Sequence, residues 1–188
     1  MKILFIGYYK EPTGWGFCAR EELKFLSKHF DVVARPVEFT SKVREDWMDE
    51  LENRPLEGIT HVIQHLLPQH FERFPGVKNI GYVEIESSNL KYSMFPDHFS
   101  IMDEIWVVNE DAKKAVEDCC KIPVRVVHHP LNFDINKKEY KKINIPEVQG
   151  NFVFYNISED VPRKNLGTLI TAFHAEFDPT EPVSLVIK

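Results

Sequence analysis

Four large apolar residues stand in a row at Ile3, Leu4, Phe5 and Ile6, closed by Gly7. A continuous apolar run of this kind predicts a strand over Lys2–Gly7 that is buried on both faces, as in a parallel sheet. The period then changes. After a loop rich in Gly, Pro and aromatics (Tyr8 to Gly16), the residues Ala19, Leu23, Leu26 and Phe30 recur at helical spacing. Asp31–Val37, Thr60–His65, Glu104–Val108 and Pro123–Val127 read as further strands, with Val77–Val83 a weaker one. In the polar stretch 41–57, Trp47, Met48 and Leu51 share one face of a helix. Asn109 can cap another, with Glu110 and Asp111 favourable in its first turn and Ala112, Ala115, Val116 and Cys119 on its apolar face.

Strands alternating with helices predict the α/β class: a Rossmann-like open parallel sheet with helices on both faces, over residues 1–131. The pattern lapses after Pro130, and the polar, Lys-rich stretch 132–150 reads as a linker. Phe152–Ile157 then begins a new strand. Pro162 suits the first turn of a helix, whose apolar stripe is Leu166, Leu169, Ile170, Phe173 and Phe177, and Val183–Ile187 is another strand. One strand–helix–strand unit of about 40 residues has little core of its own. Residues 151–188 are therefore expected to be the incomplete start of a second Rossmann-like domain, and the 188-residue chain by itself a partial, inactive fragment.

Composition narrows the partners. A 43% hydrophobic, 28% charged chain with net charge -6 is ordinary for a globular protein. It lacks the clustered Lys and Arg that phosphate-backbone binding requires, which argues against nucleic acid. Cys18, Cys119 and Cys120 make an odd count with an adjacent pair, so a disulfide framework is not expected and a reducing compartment is. No run of about 20 apolar residues offers a transmembrane segment, and the short apolar N-terminus does not fit a signal peptide. The expected location is cytoplasmic. No Cys/His spacing suits zinc and no Asp-x-Asp motif occurs, so neither metal nor cofactor is expected.

Four segments carry a more specific signal. Asn156 to Phe173 reads as a strand end, a turn with Arg163 and Lys164, and a helix containing Leu169-Ile170-Thr171-Ala172-Phe173. Upstream lie Met102-Asp103-Glu104-Ile105-Trp106-Val107-Val108-Asn109, Val126-Val127-His128-His129-Pro130 and Gly81-Tyr82-Val83-Glu84-Ile85-Glu86. In this order, over most of residues 77–188, they resemble the group 1 glycosyltransferase family of the GT-B fold. The sequence departs from the family's pattern at Ser158-Glu159, where Gly-Arg is common, and at His128, where Pro is usual. The family's spaced glutamate pair would lie beyond Lys188. The resemblance implies transfer of a sugar from a nucleotide-sugar donor, a substrate rather than a cofactor, to an unknown acceptor that could be a glycan, a lipid or a protein. It implies a retaining, metal-independent enzyme with an acceptor-side first domain and a nucleotide-sugar-binding second domain.

The candidate site residues follow. Arg163 and Lys164 at a helix start are suited to the charge that grows on a departing diphosphate. Gly14 and Gly16 would let the first loop approach a ligand closely. His65, near the C-terminal end of a strand, is placed where open α/β sheets build their sites. Glu86, read as ending a strand on the cleft side, could orient an acceptor hydroxyl. His129 matches a histidine of the family. These last three are the catalytic candidates. Two other readings stay open: a non-catalytic Rossmann-like binding module, and an NAD-dependent oxidoreductase or epimerase. The second is weakened because Gly14-Trp15-Gly16-Phe17-Cys18-Ala19 begins seven positions after Gly7, whereas a dinucleotide fingerprint follows its strand directly.

Overall fold

The structure, a computed structural model, describes residues 1–39, 43–130, 139–141 and 144–188. The chain divides into two compact units, Met1–Ile135 and Asn136–Lys188. Much of the expected linker 132–150 lies outside the described residues; within it, Pro146–Val148 forms a single 3-10 turn.

The first unit is the expected open sheet. Its six strands are β1 (Lys2–Gly7), β2 (Asp31–Pro36), β3 (His61–His65), β4 (Lys78–Val83), β5 (Glu104–Val107) and β6 (Val124–Val126), in the order β2-β1-β3-β4-β5-β6. Every pairing is parallel. The apolar run of β1 is explained by its place: it is bonded on both sides, Phe5 standing level with Ala34 of β2 and Ile63 of β3. The period-2 alternation of strands then sends side chains to two cores. Ile3, Phe5, Val32, Ala34, Ile63, Ile80 and Tyr82 pack with Ala19 and Leu23 of α1 (Gly14–His29) and with Met48 and Leu51 of α2 (Asp46–Glu52). On the other face Ile105 and Val107 pack with Phe99 of α3 (Phe95–Phe99) and with Ala112, Ala115 and Val116 of α4 (Glu110–Glu117). Asn109 caps α4 as read, its side chain accepting from the Ala112 amide at 2.8 Å.

All strands being parallel, the loops after β1, β3, β4 and β5 open on one edge of the sheet. Chain order reverses direction at β1, which has β2 on one side and β3 on the other. Crevices at such switch points are the usual ligand sites of open α/β sheets.

In the second unit β7 (Phe152–Asn156) and β8 (Val183–Ile187) pair in parallel, joined through α5 (Leu166–Glu176). The rings of Phe154, Phe173 and Phe177 cluster between strand and helix, with centroids 5.0 to 6.0 Å apart, Phe173 and Phe177 half-buried and Phe154 exposed. One expectation is corrected here. Arg163 and Lys164 do not sit at the N-terminus of α5. Pro162–Lys164 is a separate 3-10 turn, and Asn165 at φ 51° turns left-handed before α5 begins at Leu166. Proline fixes the backbone for the tight turn, and asparagine is among the few residues that tolerate the left-handed region.

Candidate functional site

Two glutamates and two histidines meet at the C-terminal edge of the sheet. His65 ends β3 and points to the α1 face, the parity it shares with Ile63. Its register partner on β4 is Tyr82. Two residues on, just past the end of β4, Glu84 turns to the same side. His65 Nε2 lies 2.9 Å from Glu84 Oε1. His129, after β6, places Nε2 3.2 Å from the same oxygen and Nδ1 2.5 Å from Glu22 Oε1. Glu22 comes from α1 and is only 5% exposed. Its Oε2 stands 2.8 Å from His65 Nδ1, off the direction of a hydrogen bond. Glu22 Oε2, His65 Nδ1 and Glu84 Oε2 are thus buried without a hydrogen-bond partner.

The surroundings hold this square in place. The Tyr82 hydroxyl donates to the Val127 carbonyl at 2.6 Å, and the Val127 amide donates to Val107. These bonds fix the segment that delivers His129. Tyr82 stacks on His65 at 4.9 Å, and the Trp15 ring stands tilted 6.4 Å from it.

Charge explains why four ionisable groups can be buried together. Burial works against a charged His65, but the Glu22 charge, with contacts to Glu22 and Glu84, outweighs it and lifts the imidazole to about 10. Burial likewise opposes charging of His129, and hydrogen bonds to Glu22 and Glu84 lift it to about 9. For Glu84 burial favours the neutral acid, but bonds to His129 and His65 hold it at about 2. Burial, followed by the Glu22 and Glu84 charges, pushes the Tyr82 phenol up, and the same three causes raise the Cys18 thiol.

These shifts set a pH dependence. The two histidines have folded values above the ordinary 6.5, so their contribution is complete below that pH and is lost as pH climbs through about 9 to 10. Glu84 has a folded value below the ordinary 4.5, so its contribution is complete above that pH and is lost as pH falls toward about 2. The melting temperature is expected to be highest between these two ordinary values and to fall on both sides. In a pH series of melting curves, His129→Gln should flatten the alkaline arm; an alkaline arm identical to wild type would contradict the assignment.

Of the catalytic candidates read from sequence, the structure brings His65 and His129 together. Glu86 is corrected. β4 ends at Val83, and the carboxylate beside the histidines is Glu84, while Glu86 lines a separate groove of about 490 Å³ with Ser87, Ser88 and one side of α4. Neighbouring His128 turns away to the Val108 carbonyl. Gly14 and Gly16 fall inside the first turn of α1, not in the loop before it. Gly14 faces open space, whereas a Cβ on Gly16 would meet the Glu11 carbonyl oxygen at 2.0 Å. Arg163 and Lys164 are exposed in the second unit, and neither makes an ion pair with a described residue.

Sequence reading missed Glu22, Tyr82 and Glu84, though two signals point to them. Glu22 stands within the apolar stripe Ala19, Leu23, Leu26, three residues from the first and four from the last. A carboxylate on a buried helix stripe needs a partner. Tyr82 and Glu84 share strand parity, and β3–β4 pairing puts them beside His65. Among the described residues no group of three or more His, Cys, Asp or Glu is arranged to hold a metal ion; here carboxylates and rings point at one another. The three cysteines are free, and no described helix is long and apolar enough to cross a membrane.

No protein-family model matches the chain, and no curated protein matches it.

Proposed function

We propose that this chain belongs to a nucleotide-sugar-dependent glycosyltransferase, with the Glu22–His65–Glu84–His129 square as the substrate-facing centre of its first unit. The observation that carries the reading is Glu84: a carboxylate kept ionised between two imidazoles, with Oε2 unpartnered, at the C-terminal edge of a parallel sheet beside its switch point. A group held at about 2 is a weak base and a strong hydrogen-bond acceptor. Its role in this reading is to orient sugar hydroxyls, with charged His129 as the neighbouring donor.

The reaction is transfer with retention and without a metal. The acceptor oxygen bonds to the anomeric carbon as the anomeric carbon–phosphate oxygen bond breaks. The bonding pair leaves with the diphosphate, and the acceptor's proton follows it onto a diphosphate oxygen. Arg163 and Lys164 are the cations that offset the charge growing on that group. Their turn holds them in the open, where a phosphate can reach both.

Calorimetric titration of the chain with UDP-, GDP- and ADP-sugars tests this. At least one should bind saturably, and the paired change Arg163→Ala with Lys164→Ala should weaken it by about tenfold or more, as expected for charge-assisted contacts. Failure of every donor to bind, or binding unchanged by the paired substitution, would contradict the reading.

A further inference from the structure

A second crevice opens on the same edge of the sheet, between β1 and β3, on the face opposite the charged square. It has a volume of about 420 Å³. Ile6, Val37 and Leu66 supply its apolar wall, and Gln69, His70 and Glu72 its polar one. Its shape is fixed from below. Buried Gln64 clasps the Glu72 backbone with two bonds, Nε2 to the carbonyl at 2.6 Å and Oε1 from the amide at 2.9 Å. This holds Glu72 and the adjacent Phe71 against the strand.

An aromatic arc links this crevice to the square. His65 lies 6.4 Å from Trp15, Trp15 is 5.6 Å from Tyr8, Tyr8 is 5.1 Å from Phe39, and Phe39 is 6.2 Å from His70. The outermost ring, Phe39, is 59% exposed. A bare phenyl on the surface costs hydration that core packing does not recover, and its backbone is held by a 2.7 Å bond from the Phe39 amide to buried Glu11.

The lining decides the ligand class. Among the described residues no lysine or arginine lines the crevice and one carboxylate does, which disfavours phosphates and other anions. Side-chain oxygens of Glu72 and Gln69 accept hydrogen bonds from hydroxyls, and the exposed rings of Phe39 and His70 suit the flat C–H face of a pyranose. We propose that this crevice binds a neutral, hydroxyl-rich saccharide, and that this saccharide is the acceptor of the transfer proposed above. Only the second clause rests on the transferase reading.

The test is saturation-transfer NMR with titration, using a panel of neutral gluco-, galacto-, manno- and N-acetylated disaccharides and a phosphorylated disaccharide as the anionic control. At least one neutral member should bind saturably and the phosphorylated one more weakly. Phe39→Ala should weaken binding by about tenfold, the scale of one aromatic contact. Glu72→Gln should also weaken it, and Glu86→Gln, in the other groove, should leave it unchanged. Glu72 of the crevice and Phe39 beside it are both exposed, so far-ultraviolet circular dichroism should match wild type. No binding by any neutral disaccharide, or wild-type binding by Phe39→Ala and Glu72→Gln, overturns the proposal. Nucleotide-sugar titrations run in parallel separate the two claims. Saccharide binding without any donor binding keeps the crevice and removes the transferase; donor binding without saccharide binding does the reverse.

Discussion

Glu22→Ala is expected to lower the stability of the first unit by about 3–5 kcal/mol, the cost of removing one partner from a buried ion pair. Glu22 contacts both histidines, through Oε1 to His129 and Oε2 to His65. Removing it leaves two imidazoles facing one carboxylate. They must then either share Glu84 as a net positive, buried group or give up a proton that the intact square holds well above neutral pH. Urea unfolding near pH 6, followed by the tryptophan signal, measures the loss. Glu22→Gln is the informative companion: it keeps the volume and removes the charge, so a similar loss assigns the effect to charge. Loss of less than about 1 kcal/mol, the scale of an exposed salt bridge, would mean that the square is not the tightly coupled unit described.

The second large effect is steric. A methyl group at Gly16 would stand 2.0 Å from the Glu11 carbonyl oxygen and 3.0 Å from that of Tyr8. Neither atom is the tip of a flexible side chain. The loop between β1 and α1 is also tied from the helix side, by Arg20 Nη1 to the carbonyls of Tyr9 and Glu11 at 2.8 and 2.9 Å and by the Thr13 cap to the Gly16 amide. Gly16→Ala must therefore move the backbone of the loop or of α1, and α1 carries Glu22. The expected cost is about 3 kcal/mol, the upper end for overpacking, together with a shift of the histidine ring signals in NMR spectra. Gly14→Ala, with open space around its Cβ, is the matched control and should leave both nearly unchanged.

These two residues also show what the sequence could and could not carry. Strands whose apolar runs are long, such as Lys2–Gly7, and helices with a clear stripe and cap, such as the one after Asn109, were readable because period and capping are local properties. α3 was not, because five residues starting at Phe95-Pro96 show no period. His65 and His129 were singled out by strand position and family resemblance. Their partner was missed by two residues, Glu86 in place of Glu84: the two share strand parity, and which of them closes the strand depends on where pairing stops, which the neighbouring strand sets. Glu22 was missed because its role arises only when α1 lies across β3, bringing residues 43 positions apart into contact. Gly16 was read as a flexible approach to a ligand; the constraint on it comes from a carbonyl of its own loop, which only the folded geometry supplies.

The central proposal is that Glu84 of the first unit serves sugar transfer from a nucleotide-sugar donor. Release of nucleoside diphosphate from UDP-, GDP- and ADP-sugars by the protein, with neutral saccharides as acceptors, tests it most directly. The expected result is release from at least one donor, reduced about a hundredfold or more by Glu84→Gln, whose side chain keeps the shape and loses the charge. The same loss should follow Arg163→Ala with Lys164→Ala. No release from any donor, or wild-type rates in both variants, would contradict it.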